Sequence, residues 1–240
     1  MAVLSGINPV LESLQAGRPL DRILIAKGAA GPRLQQIIEM ARRASVSVRF
    51  EDRGGLDRLA GTPAHQGVVA LGASQRYVEL DDVAPAAQML VVLDGVEDPA
   101  NLGAVARTAV AAGADGIVVP ERRATGLTAA VAHSAAGALE HLRVARVTNL
   151  TRALNELKEH NIWVFGFEAG ASKSYLDLDY SGGCALVLGG EGEGLHRLVR
   201  ETCDDLARIP LYGPVESLNV SVAAAVVLYE AARQRHKTEP

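Results

Sequence analysis

A series of continuous apolar runs between residues 89 and 210 is the feature that most constrains the fold of this chain. Runs that are apolar on both faces and bounded by turns are typical of strands in a parallel sheet covered by helices on each side. The sequence therefore predicts an α/β fold with a largely parallel sheet. Strands are predicted at 89–93, 116–119, 144–147, 162–167, 185–188 and 206–210, with helices at 101–112, 127–139, 149–160, 194–201 and 217–233.

The first 75 residues form a separate, smaller pattern of helices and strands. Helices are predicted at 7–15, 34–44 and near 56–59, and strands at 22–26, 46–50 and 66–71. Residues 76–88 combine acidic side chains with Pro85, which is typical of a connecting segment. We therefore predict a small α/β domain over 1–75, a linker over 76–88 and a second domain over 89–240.

Charge is distributed unevenly between these two parts. The net charge is −4, but residues 1–75 carry nine Lys and Arg against six Asp and Glu, whereas the remainder carries fifteen against twenty-two. A basic part on an acidic body indicates a local anion-binding surface, although solvated surface charges without a function would give the same numbers. The candidate phosphate contacts are Arg18, Arg22, Lys27, Arg33, Arg42 and Arg43.

Several classes of protein are disfavoured by what the sequence lacks. Cys184 and Cys203 are not in C-x-x-C spacing, and the six His residues form no cluster with the spacing of metal ligands. The longest nearly apolar run, 220–229, is too short to cross a bilayer, and the N-terminus lacks the pattern of a signal peptide. We therefore expect a cytoplasmic protein that binds no metal and no membrane.

Four glycines and two glutamates follow the strand at 185–188, over residues 189–194. Such glycines let the backbone approach a ligand closely, and a tight turn alone would explain about two of them. The loop lacks the Gly-Lys-Ser/Thr of phosphate loops, and Glu191 and Glu193 would repel a pyrophosphate. A neutral or cationic ligand fits better. The loop also follows the fifth predicted strand, whereas a dinucleotide fold has it after the first.

Two further stretches carry polar residues at predicted helix starts. Asn101 either caps the helix or faces a ligand, and Gly103 lies on the same helix face as Arg107. A cap and a surface arginine would be the alternative. Ser217 and Asn219 both precede an apolar helix, so at least one of them is not needed as a cap. The small residues 223–225 would allow close helix packing, either across a dimer or within one subunit.

The three stretches together resemble a known family. N-L-G-x-x-x-R, L-G-x-E-G-x-G and I-P-x-x-G-x-x-x-S-L-N-V-S-V-A are similar, in this order, to the three motifs of the SpoU (TrmH) family of RNA 2′-O-ribose methyltransferases. The resemblance covers about residues 90–234 and is closest to the RlmB-type 23S rRNA (guanosine-2′-O-)-methyltransferases. Residues 5–10 and 65–70 also resemble the ribosomal-protein-like substrate-binding domain of that group.

The resemblance implies a fold, a cofactor and partners. The second domain would be a SPOUT-type domain whose C-terminal segment forms a trefoil knot, an exception to the rule against knots. S-adenosylmethionine would bind in the knot, in contact with Gly189, Ile209 and Leu218. The cationic sulfonium of this cofactor agrees with an acidic loop. Family members act as homodimers on RNA, here 23S rRNA.

The resemblance also implies catalytic residues. The family assigns the role of a base to the position of Arg107, but a guanidinium hardly deprotonates in proteins. We therefore hypothesise that Arg107 holds the phosphate beside the target ribose, and that this phosphate or Glu191 receives the proton. Asn101 and Asn219 would fix Arg107, Glu191 or the ribose by hydrogen bonds, and Ser217 would assist.

Other functions remain open at this point. A tRNA ribose methyltransferase or a resistance-type rRNA methyltransferase would share these motifs. The separate basic domain over 1–75 and the sequence His65-Gln66-Gly67 favour the rRNA type over the minimal tRNA type. A non-catalytic RNA-binding relative is disfavoured because the motif residues are intact, namely Asn101, Arg107, Glu191, Ser217 and Asn219. A Rossmann oxidoreductase fits least, because its glycine loop would lie elsewhere.

Overall fold

The computed structural model describes residues 2–17, 20–72, 77–190, 192 and 194–236. The chain divides into two compact units. The smaller unit comprises Met1–Arg76 and Gly126–His141, and the larger comprises Tyr77–Thr125 and Leu142–Pro240. Glu191, Glu193 and Arg18, which the sequence singles out, lie outside the described residues.

The strands and helices follow in chain order. The strands are β1 (Ala2–Ser5), β2 (Leu20–Ala26), β3 (Ser47–Glu51), β4 (Val68–Gly72), β5 (Met89–Asp94), β6 (Gly116–Pro120), β7 (Arg143–Val147), β8 (Trp163–Phe167), β9 (Lys173–Ser174), β10 (Cys184–Gly189) and β11 (Asp205–Arg208). The helices are α1 (Ile7–Gln15), α2 (Pro32–Arg43), α3 (Arg53–Ala60), α4 (Pro99–Ala111), α5 (Ala129–Ala135), α6 (Leu150–Glu159), α7 (Arg197–Thr202) and α8 (Val220–Arg235).

The smaller unit is built on a mixed sheet in the order β1-β4-β2-β3. β4 is antiparallel to both of its neighbours, and β2 is parallel to β3. Successive side chains of β2 point to opposite faces. Ile23 and Ile25 pack with residues of α1 and α2, whereas Leu24 and Ala26 pack with Leu56 of α3. Helices therefore cover both faces of this sheet.

The larger unit contains a seven-stranded sheet in the order β7-β6-β5-β10-β8-β11-β9. Every pairing between these strands is parallel, which confirms the fold class predicted from the apolar runs. All six residues of β5 are buried. The side chains that bury one face of this sheet form one cluster with the apolar side of α6, including Leu90, Val92, Val164 and Val187.

The strand order of the larger sheet determines where a ligand can bind. The chain runs outward from β5 through β6 to β7, and it then returns to the other side of β5 with β8. β10 lies between β5 and β8, so this is the point at which the strand order reverses. Ligands of open α/β sheets bind outside the carboxyl ends of strands at such a point. The glycine loop begins at the carboxyl end of β10.

Two longer segments differ from the prediction, in addition to the short strands β1 and β9, which were not predicted. Residues 77–88 do not form a linker, because Leu80, Val83, Ala84 and Ala87 are buried in the core of the larger unit. The linker was predicted because acidic residues and Pro85 lie between these apolar residues and hide their pattern. The helix predicted over 127–139 ends early, since the backbone enters the left-handed region at Ala136 and Gly137 (φ 50° and 96°). Only α5 and a 3-10 turn over Ala138–Glu140 remain.

Candidate active site

The glycine loop is held tightly against the strand beside it. In β10, Gly189 pairs with Asp94 of β5, and the next amide, Gly190 N, donates to the Asp94 carbonyl at 2.7 Å. A Cβ on Gly189 would lie 2.1 Å from the carbonyl carbon of Gly194, and a Cβ on Gly190 would lie 2.0 Å from the oxygen of Gly95. Side chains are therefore excluded at both positions by the backbone itself.

The last two glycines of the loop are required for a different reason. Gly192 and Gly194 have φ values of 90° and 65°, a region in which residues with a Cβ are disfavoured. All four glycines are thus explained by the conformation of the loop, whereas the sequence argument assigned about two of them to a turn. The glycine pattern alone is therefore not evidence for a ligand, and the surrounding cavity has to supply it.

A cavity of about 850 Å³ lies between this loop and the segment that precedes α8. Its size is suited to a nucleoside-sized ligand. The predicted cofactor contacts Gly189, Ile209 and Leu218 all line it, together with Ser217 and Asn219. These residues come from the ends of β10 and β11 and from the start of α8, so the fold brings together positions that are far apart in the sequence. We call this space the larger cavity.

The wall of the larger cavity is apolar with a few charged groups. Phe167, Leu188 and Leu211 contribute apolar surface, and Glu168 and Glu216 contribute carboxylates. Arg200 also lines the cavity, and its guanidinium lies 3.8 Å from the Glu168 carboxylate. The described carboxylates outnumber the described cations, which agrees with the neutral or cationic ligand expected from the sequence.

The two asparagines of the motifs meet in the structure. Asn219 Nδ2 donates a hydrogen bond to Asn101 Oδ1 at 3.0 Å. Asn219 is also the N-cap of α8, because its Oδ1 accepts the amide of Ser221 at 2.9 Å. Ser217 is therefore the residue not needed as a cap, and it lies exposed at the cavity.

Asn101 itself does not cap α4. Asp98 is the N-cap, and its Oδ1 accepts the amide of Ala100 at 2.8 Å. Asn101 lies three residues into the helix and is buried, with 6% of its surface exposed. Its bond to Asn219 thus joins the first turn of α4 to the start of α8, two helices that pack together along their length.

Arg107 lies apart from Asn101, Ser217 and Asn219, the other predicted catalytic residues that the structure describes. It follows Asn101 by six positions, which places it about 9 Å further along the axis of α4. The side chain is exposed and lines neither of the cavities described here. Among the residues that the structure describes, none forms a hydrogen bond or ion pair with it. The guanidinium is therefore available to a ligand from solution.

A second space, which we call the smaller cavity, is also lined by Gly190 and has a volume of about 440 Å³. Three of the described residues line both cavities, namely Gly190, Gly194 and Val220. Asn101 also lines the smaller cavity. The two cavities are thus neighbours that meet at the glycine loop, as expected where two substrates have to react with each other.

A chain of polar contacts at the smaller cavity was missed from the sequence. The buried Asp94 accepts the backbone amide of His196 at 2.7 Å and contacts the ring Nδ1 at 2.9 Å. The ring Nε2 contacts Arg123 Nη1 at 2.6 Å. An acidic residue that ends a fully apolar strand was the available signal for Asp94. His196 was considered only as a metal ligand, and Arg123 carries no local signal.

Neither cysteine provides a nucleophile. Burial raises the pKa of the Cys184 thiol, and it raises the pKa of Cys203 to about 12. Both side chains are therefore thiols near neutral pH, and a thiol is a poor nucleophile. Among the described residues, no group of three or more His, Cys, Asp or Glu could hold a metal ion. Within the same residues, the helices are too short or too polar to span a membrane.

Comparisons with known proteins agree with the motifs. The SpoU rRNA Methylase family model matches residues 88–229, and the model for RNA 2′-O ribose methyltransferase substrate binding matches residues 3–78. These matches confirm the family predicted from the sequence.

Two curated relatives match almost the whole chain. The 23S rRNA (guanosine-2′-O-)-methyltransferase RlmB of Xylella fastidiosa (strain 9a5c) is 46% identical over 237 residues, which cover 96% of this chain and 95% of that protein. YacO of Bacillus subtilis (strain 168), named as a TrmH family tRNA/rRNA methyltransferase, is also 46% identical over 237 residues, with coverage of 96% and 95%.

A solved structure matches both units and contains the predicted cofactor. The crystal structure of an S-adenosylmethionine-bound rRNA methyltransferase from Sinorhizobium meliloti has a TM-score of 0.83 and 27% sequence identity. The match covers 99% of this chain and 88% of that chain. The cofactor expected from the motifs therefore agrees with that of a structural relative.

Proposed function

The chain belongs to the SpoU family of RNA 2′-O-ribose methyltransferases, and on this basis we propose that it methylates the ribose of a guanosine in 23S rRNA with S-adenosylmethionine as the methyl donor. The relative from Xylella fastidiosa, which carries this activity in its name, supports the choice of rRNA and guanosine. The match extends over the smaller unit as well as the larger one, so it includes the part expected to bind the substrate.

The observation that carries the proposal is the larger cavity. Gly189, Ile209 and Leu218 belong to three separate segments, and all three line this one space. The apolar wall at Phe167 and Leu188 offers a surface for the adenine ring of the cofactor. The carboxylates of Glu168 and Glu216 can accept hydrogen bonds from its ribose hydroxyls and can attract its cationic sulfonium. This convergence supports the three residues as cofactor contacts.

The bound cofactor supplies a methyl group activated by a sulfonium. The 2′-oxygen of the target ribose forms a bond to the methyl carbon as the carbon–sulfur bond breaks, and the hydroxyl proton has to leave. The protein contributes position and proton transfer to such a displacement. We assign the proton to Glu191 or to the RNA phosphate, as the motif resemblance suggests.

Arg107 acts in this proposal as a clamp on the phosphate beside the target ribose. A guanidinium binds a phosphate through two parallel hydrogen bonds, which fixes direction as well as distance. Its exposure and its lack of polar contacts within the described part of the chain support this role. Asn219 and Asn101 hold the start of α8 against α4, and Ser217 lies beside them at the cavity.

Three further expectations from the resemblance are part of the proposal. The C-terminal segment would pass through a trefoil knot, which the position of β10 between β5 and β8 supports. The protein would act as a homodimer in the cytoplasm. Val222 and Tyr229 leave apolar surface exposed on α8, at 49% and 55%, and this surface supports a contact between subunits.

We propose that the smaller unit binds the RNA. Arg33, Arg42 and Arg43 are exposed on α2 and are suited to contact phosphates. Lys27 is a weaker candidate, because its ammonium already lies 3.0 Å from the Asp52 carboxylate. Arg22 is only partly exposed.

The test uses the purified protein, radiolabelled S-adenosylmethionine, and unmodified 23S rRNA and tRNA in separate reactions. We expect label in 23S rRNA at one guanosine, located by mapping 2′-O-methyl positions. Label in tRNA alone would overturn the choice of substrate. Absence of cofactor binding in a calorimetric titration would overturn the assignment as an enzyme.

A further inference from the structure

The polar chain Asp94–His196–Arg123 fixes the protonation of the histidine. A guanidinium can only donate hydrogen bonds, so the ring Nε2 of His196 must accept the bond from Arg123 Nη1 at 2.6 Å. A neutral imidazole carries one N–H, which therefore resides on Nδ1 and donates to Asp94 Oδ1 at 2.9 Å. In this arrangement Nδ1 of His196 donates to Asp94 and Nε2 accepts from the guanidinium of Arg123.

Asp94 anchors this arrangement to the sheet. Its second oxygen accepts the backbone amide of His196 at 2.7 Å, so both oxygens hold the same residue. The side chain is 6% exposed and lies at the end of β5, whose backbone also binds the glycine loop through Gly190. His196 can therefore rotate or shift little, and its hydrogen bond to Arg123 holds the guanidinium in place.

The backbone of the loop that contains Arg123 also restricts the position of this residue. It lies in the loop after β6 with a left-handed φ of 57°, which is uncommon for a residue with a Cβ. Two residues later, the amide of Thr125 donates to the carbonyl of Val96 at 3.2 Å, which joins this loop to the segment after β5. Arg123 lines the smaller cavity, and among the described residues only His196 forms a hydrogen bond with its guanidinium.

The charges around the smaller cavity indicate what it can bind. Among its described lining residues, Arg123 is the only cation, whereas Asp94, Glu97 and Asp98 are carboxylates. A phosphate would therefore meet more repulsion than attraction. Asp94 and Asp98 have protein partners, but no described residue forms a hydrogen bond or ion pair with Glu97. The cavity thus offers one donor group and one acceptor group to an uncharged planar ligand.

We propose that the smaller cavity binds the base of the target nucleotide and that Arg123 and Glu97 recognise it as guanine. Arginine donors match the O6 and N7 acceptors of guanine, as they do in nucleic-acid grooves. The Glu97 carboxylate accepts from the N1–H and the 2-amino group. Adenine presents an amino group where guanine has O6, so it would leave Arg123 without an acceptor there. His196 and Asp94 are positioning residues that act through Arg123.

This inference rests on the proposed function and can fail separately from it. The substrate is unmodified 23S rRNA transcript carrying either guanosine, 7-deazaguanosine or inosine at the mapped position. For the wild-type protein, we expect kcat/KM to fall about 10- to 100-fold with 7-deazaguanosine, because one acceptor of Arg123 is lost. Inosine, which lacks the 2-amino group, tests Glu97 in the same way.

Variants distinguish recognition from a structural role. R123A should lower kcat/KM on the guanosine substrate by a similar factor, and it should no longer distinguish 7-deazaguanosine from guanosine. H196A should give part of the same loss, and H196Q should restore it, since a Gln amide oxygen can accept from Arg123. E97Q should lose the discrimination against inosine. R122A is the matched control, because Arg122 is an exposed neighbour that lines neither cavity.

Each outcome bears on one claim. Cofactor affinity and the thermal midpoint should be unchanged in R123A, because the side chain is exposed. If R123A discriminates between guanosine and 7-deazaguanosine as the wild type does, the inference is wrong even though the enzyme is active. If no RNA is methylated by the wild type, the proposed function itself is wrong.

Discussion

Each unit of the molecule contains an Asp–His pair with a nitrogen–oxygen distance of 2.9 Å, and the two pairs differ in what the second ring nitrogen contacts. In the smaller unit, Nδ1 of His65 accepts the amide of Gly67 at 3.0 Å, so the proton resides on Nε2 and is donated to Asp57. In the larger unit, the proton of His196 resides on Nδ1, and Nε2 accepts from Arg123.

The difference separates a histidine with purely structural contacts from one that lines a cavity. His65 is completely buried, and both of its nitrogens bind groups of its own unit. The neighbouring Gln66 contributes in the same way, since its Oε1 accepts the amide of Ile7 at the start of α1. His196 instead orients an exposed arginine at a cavity. The two Asp–His pairs therefore differ in the group that the second ring nitrogen binds, which is a backbone amide for His65 and the side chain of Arg123 for His196.

The largest expected effect is on stability, at His65. H65A removes a fully buried side chain and leaves the Gly67 amide without its acceptor, so we expect the free energy of unfolding to fall by about 2–4 kcal/mol. Denaturant titration measures this change. The affinity for S-adenosylmethionine should remain that of the wild type at temperatures where the variant is folded. A variant as stable as the wild type would show that the His65 contacts are not structural.

The same substitution at His196 should affect activity more than stability. H196A removes the acceptor of Arg123, and we expect kcat/KM for RNA to fall about tenfold, which corresponds to about 1.4 kcal/mol. The loss in unfolding free energy should be about 1 kcal/mol, because a partly exposed ring leaves room for water beside Asp94. If H196A lost much stability but kept its turnover, His196 would have the same structural role as His65, and the proposed difference between the two pairs would be wrong.

Asn219 offers a matched pair of substitutions that separates the two kinds of role within one residue. N219A loses the cap of α8, which costs about 1 kcal/mol of stability. N219S keeps a capping oxygen but loses the bond to Asn101, so it should retain most of that stability while still lowering methyl transfer. Thermal unfolding and initial rates on the same samples give both values. Equal rates in N219S and the wild type would exclude a role for the Asn101 contact.

The smallest effect is expected at the surface of the smaller unit. Lys27 and Asp52 have side chains that are 62% and 75% exposed, and such ion pairs contribute about 0–1 kcal/mol. K27A should therefore change stability by less than about 0.5 kcal/mol. Its effect on RNA affinity should be smaller than that of R42A, whose guanidinium lies exposed on α2. A filter-binding comparison that ranks K27A above R42A would contradict this order.

The sequence was sufficient to predict most elements of the fold because burial on both faces leaves a clear pattern. β5 is one residue longer than the predicted strand 89–93 at its end, and β10 is one residue longer than the predicted strand 185–188 at each end. β1 was missed, since four residues with no flanking pattern give too little signal. The strand order was also beyond reach, because the pairing of β5 with β10 joins residues that are distant in the chain and depends on the whole packing.

The site was predictable only where a motif marks it. Gly189, Ile209 and Leu218 were found through a resemblance, and the fold then brings them to one cavity. The contacts of Asp94 with His196 and of His196 with Arg123 span 102 and 73 positions of sequence, and each of these residues looks ordinary locally. Such contacts depend on where β5 and β6 end in the sheet.

The most direct test of the account is the chemical identity of the product. RNA methylated with labelled S-adenosylmethionine would be digested to nucleosides, which are then separated and identified by mass spectrometry. The account predicts that the label is recovered as 2′-O-methylguanosine, and that it is lost in the R107A variant while R122A retains it. Label on the base of the nucleoside, or undiminished 2′-O-methylation by R107A, would contradict it.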